Sequence, residues 1–110
     1  MKKWVMINYD LGLKGDYQNL YRFLDNNNAL DCGNCNSALE IEVSKDDFDT
    51  IFDEVTSMIK KNFEFSQNDR IYLTVTDSTN QMRGRFICGN RKRAIWEGYG
   101  DISPTEYDVF

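Results

Sequence analysis

The chain has 110 residues, 13 basic against 18 acidic for a net charge of -5, and it contains no histidine. That length suits one domain with one core, and no apolar run approaches the roughly 20 residues of a membrane span. The missing histidine excludes every His-based triad, every His general base and every His-containing zinc site.

Three cysteines, an odd number, argue against a complete intrachain disulfide framework. Asn8 and Asp10 also interrupt the run that would form a signal peptide's apolar segment. A cytoplasmic protein is expected.

Trp4 to Tyr9 is apolar on both alternating faces, with Val5, Ile7 and Tyr9 on one and Trp4 and Met6 on the other, which predicts an interior strand. It closes on Tyr9-Asp10, so a carboxylate arrives where a strand stops and the flexible Gly12-Leu13-Lys14-Gly15 begins. Asp16 is a good N-cap for a first helix carrying Tyr17, Leu20, Tyr21 and Leu24, ending in Asn26-Asn27-Asn28.

Ala29 to Val43 reads as a hairpin turning at Gly33-Asn34. In its second arm Leu39, Ile41 and Val43 alternate with Glu40 and Glu42, while the first, around Leu30 to Cys32, is either strand or plain loop. Ser44 with Asp47 resembles a capping box. It precedes a second helix whose stripe of Phe48, Ile51, Phe52, Val55, Met58, Ile59 and Phe63 is core, with acids early and lysines late as the helix dipole favours.

After the polar turn Ser66 to Asp69, Ile71, Leu73 and Val75 alternate with Tyr72, Thr74 and Thr76 as another strand. Asp77 to Asn80 is a loop, and Arg83 to Cys88 forms a last short edge strand. Residues 98–110 are a polar tail that holds the only proline and ends on Tyr107, Val109 and Phe110. The order predicts one α+β domain over 1–110: a ferredoxin-like βαββαβ sandwich, two helices on one face of an antiparallel sheet, with an extra C-terminal strand. The other face needs a cover, and Trp4, Met6 and Tyr72 suggest a homodimer interface.

"INYDL" at the end of the first strand, followed by a helix and "NSALEIEV", resembles the small CRISPR-associated Cas-two proteins and their VapD-like and SinR-type relatives. Tyr9-Asp10 and Ser37-Ala38-Leu39-Glu40 are the matching positions, within an element order that corresponds over about residues 4 to 76. The resemblance implies a homodimer that contacts RNA or DNA, and in some members a metal-dependent nuclease in which strand-end aspartates of two protomers share a divalent ion. Carried over, Asp10 alone inherits the catalytic, metal-ligand role, and magnesium is the implied cofactor, because hard oxygen ligands suit it and it needs no histidine. The plainer reading of Asp10 is a residue that caps or hydrogen-bonds the following loop. The cations sit differently from the family pattern, with only Arg22 on the first helix.

Two further constellations stand out. Cys32 and Cys35 have the C-x-x-C spacing that lets two thiolates share a zinc; Cys88 and Asp31 are the groups at hand to complete that half-site, and ordinary free thiols are the reading preferred over zinc or a redox pair. Arg83, Arg85, Arg91, Lys92 and Arg93 place five cations within eleven positions free of acid, with Phe86 or Trp96 at hand for stacking. The alternative use of those arginines is pairing with the chain's plentiful carboxylates.

Two functions are therefore expected to compete. One is a Cas-two-like nucleic-acid-associated homodimer, either a metal-dependent nuclease or a catalytically inactive relative. The other is a noncatalytic module that binds a protein partner through its acidic helices or aromatic-rich tail. Neither involves a membrane.

Overall fold

Period-two alternation at the N-terminus sets the architecture. The computed structural model describes residues 1–101, and its first strand, β1 (Lys2–Asp10), buries Val5 and Ile7 on one face and leaves Trp4 and Met6 exposed on the other. Helix α1 (Tyr17–Asn26), strands β2 (Leu30–Asp31) and β3 (Asn36–Glu42), helix α2 (Phe48–Lys60) and strands β4 (Arg70–Thr76) and β5 (Met82–Cys88) follow. The expected tail, with Tyr107, Val109 and Phe110, lies mostly outside the described residues.

All five strands form one sheet in the order β2-β3-β1-β4-β5, every neighbouring pair antiparallel. β1 is thus an interior strand, as its composition predicts. Two helices on a five-stranded antiparallel sheet define an α+β fold compatible with a ferredoxin-like arrangement. β2 is only two residues long, because Cys32 to Cys35 already belong to the turn. Among the described residues, no helix is long and apolar enough to cross a membrane.

One core accounts for the cohesion. Val5 and Ile7, Leu39 and Ile41, and Ile71, Leu73 and Val75 point from three strands at Leu20, Phe23 and Leu24 of α1 and Ile51, Val55 and Ile59 of α2. Burying each such side chain contributes about 1.5–3 kcal/mol before entropy is counted. The helix-period and strand-period stripes meet on this single layer.

The caps follow the sequence with one correction. The Asp16 carboxylate accepts from the Asn19 amide, as expected. For α2 the capping residue is Asp47 and not Ser44: Asp47 immediately precedes the first helical residue in extended backbone, and its carboxylate accepts from the Thr50 amide at 2.9 Å. Ser44 instead donates its hydroxyl and amide to Glu54, at 2.7 and 2.8 Å.

Among the described residues, Asp69 is the one charged group in the set of most deeply enclosed side chains, at 1% exposure. Its carboxylate accepts from the Gly12 amide and the Ser66 amide, both at 2.8 Å, and so ties the loop after β1 to the turn before β4. Gly12 and Gly15 belong to the same tight region, since a Cβ on either would lie under 3 Å from its neighbours. Asp69→Ala leaves two part-buried amides without their charged acceptor and is expected to cost about 2–4 kcal/mol, measured as a lower urea midpoint; a loss under about 0.5 kcal/mol would mean that water replaces the carboxylate without cost.

Asp77 caps the loop between β4 and β5. The Thr79 hydroxyl donates to it at 2.6 Å and the Thr79 amide at 2.9 Å, and these hydrogen bonds hold its carboxyl below the usual aspartate range. The unfolded chain therefore binds the proton more readily than the folded one. This contribution is complete above the ordinary aspartate pKa and is lost as the pH falls through the lower folded-state value. Asp77→Asn is expected to flatten the acid limb of the stability profile; an unchanged limb would assign acid sensitivity to other carboxylates.

Candidate functional site

With both helices on one face, the opposite face of the sheet is open. Its side chains are Trp4, Met6, Asn8 and Asp10 from β1, Arg70, Tyr72 and Thr74 from β4, and Phe86 from β5, as the pairings of Asn8 with Tyr72 and Tyr72 with Phe86 require. All of these but Trp4 line a concavity of about 440 Å³ that Arg91 and Trp96, from the segment after β5, complete at one side. A neighbouring hollow of about 540 Å³ shares Arg70, Phe86, Arg91 and Trp96 and adds Lys92 and Arg93.

Asp10 is the last residue of β1 and stands directly opposite Arg70. The Arg70 guanidinium donates to its carboxylate at 2.9 Å, with the aspartate side chain 59% exposed. Among the described hydrogen bonds, the loop after β1 is held by Asp69 through Gly12, the task the plainer sequence reading gave to Asp10. Asp10 is therefore a cross-strand ion-pair partner at the rim of the concavity.

Strand alternation divides the basic cluster. Arg83 and Arg85 lie on the helix side of β5: the Arg85 guanidinium sits 4.8 Å from the ring centres of both Phe48 and Phe52 and reaches Asp49 at 3.2 Å. Arg83 lies 5.4 Å from the Phe48 ring and 3.7 Å from Asp77. These two extend the edge of the core over α2. Arg91, Lys92 and Arg93 follow the strand and border the open face, where Arg93 also pairs with Glu97 at 3.1 Å. Arg70, which the sequence does not single out, and Tyr72, which it offers to a dimer interface, complete the site because β4 is the neighbour of β1.

At the end of β1 the implied magnesium finds the Asp10 carboxylate already engaged by a guanidinium. Among the described residues no group of three or more His, Cys, Asp and Glu side chains converges on a common point. A hard cation asks for several oxygen ligands, so the donor set of one chain does not fit it.

Cys32 and Cys35 are exposed in the β2–β3 turn, with Gly33 and Cys35 at positive φ. Cys88 cannot complete their half-site. It ends β5, three strand spacings or more from that turn, roughly 14 Å at the usual separation.

No family model matches the chain, and no curated protein and no solved structure matches it significantly.

The thiols differ in reactivity for a physical reason. Burial pushes the Cys88 thiol up to about 11, whereas Cys32 and Cys35 are open to solvent. Alkylation of the folded protein near pH 8 is expected to modify two thiols quickly and the third far more slowly, read by intact mass. Three equally fast modifications would show that the end of β5 opens freely.

Proposed function

We propose that this chain is a nucleic-acid-binding protein acting as a homodimer in the cytoplasm, on a ferredoxin-like βαββαβ frame extended by β5, in keeping with its Cas-two-like resemblance. Support for the frame comes from the strand order and from the helices' shared face. The observation that carries the function is the gathering of Arg70 and Arg91 with Tyr72, Phe86 and Trp96 around one concavity, beside Lys92 and Arg93. Cations that neutralise phosphates beside aromatics that accept bases are the two components of a nucleic-acid surface.

The chain's overall charge of -5 opposes a polyanion. The proposal therefore places binding at this one end of the open face, where four cations meet Asp10 and Glu97, each already ion-paired. Beyond Met6 the other end is apolar, with Trp4 and Met82 exposed, and suits the second copy. Binding without hydrolysis is the reading that Asp10 favours, since its carboxylate serves Arg70.

Anisotropy titrations with labelled RNA and DNA at several salt concentrations test this. Removing Arg91, Lys92 and Arg93 together is expected to weaken binding at least tenfold and to lower the salt slope by about 2 for a single strand. No cleavage is expected with magnesium present. Cleavage abolished by Asp10→Asn would reinstate the hydrolytic role, and the absence of any salt-sensitive binding would leave the protein-interaction module as the function.

A further inference from the structure

We infer that the floor of the concavity is a stacking site for an unpaired nucleobase, built by Tyr72 lying down over Gly84. The inference rests on the nucleic-acid reading above and specifies which part of the polymer the site takes. Its starting point is Gly84, the one residue of β5 without a side chain and the cross-strand partner of Thr74. A Cβ at that position would fall 2.4 Å from Tyr72 Cε2, 2.7 Å from Cζ and 2.6 Å from the hydroxyl oxygen. A tyrosine standing up from the sheet would carry its hydroxyl far above the neighbouring backbone. Here the hydroxyl end comes down to it, so the ring reclines across β5 in space that any other residue at position 84 would fill.

A reclining ring lines the concavity with aromatic surface. Phe86, the direct partner of Tyr72, meets it at 4.8 Å between centroids and 75° between planes, so one ring forms floor and the other wall. Trp96 faces the same space with 73% of its surface exposed. Asn8 and Thr74 line the floor with hydrogen-bonding groups suited to base edges. At about 440 Å³ the hollow is in the range of ligand clefts, about 300–1,000 Å³.

The chemistry selects an unpaired base. In a duplex the faces of the bases are taken by their stacked neighbours and only their edges reach the grooves, so an aromatic floor has nothing to stack on. An unpaired strand can lay a base on Tyr72 or against Trp96 while its phosphates run past Arg70, Arg91, Lys92 and Arg93. Charge complementarity and ring surface thus select the same occupant.

The test compares a labelled single-stranded oligodeoxynucleotide of twelve thymidines, the matching RNA, the corresponding DNA duplex, and a base-free strand of equal length that keeps the phosphates. The single strands are expected to bind roughly 5- to 100-fold more tightly than the base-free strand and more tightly than the duplex, and to quench Trp96 fluorescence in a Trp4→Phe background. Tyr72→Leu and Trp96→Leu should each remove a large part of that preference and leave base-free binding unchanged. Trp96 is so exposed that its variant keeps the fold, and circular dichroism checks Tyr72→Leu. Equal affinity for the base-free strand, or no quenching, would overturn the stacking site and leave phosphate binding standing. Failure of every strand to bind would overturn the nucleic-acid reading itself.

Discussion

Everything on the open face depends on the register of β1. Val5 and Ile7 are drawn into the layer beneath the helices, and in a strand that choice sends Trp4, Met6, Asn8 and Asp10 to the other side. The pairings of Val5 with Leu39 and with Val75 lock that register from both neighbours. A slip of one residue would bury Asp10 and expose Ile7, so the hydrophobic contact that holds the domain together also presents its polar rim. Asp69 finishes the arrangement by fastening the loop that leaves β1.

The same alternation decides what the cations do. Arg83 and Arg85 fall on the side of β5 that faces α2, where their guanidinium groups cover Phe48 and Phe52 and meet Asp49 and Asp77. They support the edge of the core and temper the acidic start of the helix. Arg70 is partly neutralised by Asp10. The positive character of the open face therefore comes mainly from residues 91–93, which lie beyond the strand and escape its alternation. An acidic protein can thus carry a cationic site if the sheet hands some arginines to the fold and others to solvent.

Most of the fold was legible because its signals are local. The stripe from Phe48 to Phe63, the alternation of Ile71, Leu73 and Val75, and Asp16 as a cap each need only a few neighbouring residues. The cap of α2 is not legible, because a hydroxyl and a carboxylate three residues apart fit two capping patterns and only the backbone at Asp47 chooses between them. Cys88 was a candidate partner for Cys32 and Cys35 on composition, and the strand order sets it on the far side of the sheet. The tyrosine that reclines on Gly84 left no mark in the sequence, since a glycine in a strand gives no hint of which ring will use its space.

Taken alone, the amino-acid order determined the type and order of every element but the short β2, the faces the longer strands and the helices would bury, and a run of arginines with aromatics nearby. These follow from periodicity, which is a property of residues close in the chain. Only the tertiary structure decided that Arg70 would answer Asp10, that the arginine run would be divided between two faces, and that Tyr72, Phe86 and Trp96 would share a hollow with Arg91. Each of these is a pairing across strands distant in sequence, and register between strands is settled by the burial of the whole core at once.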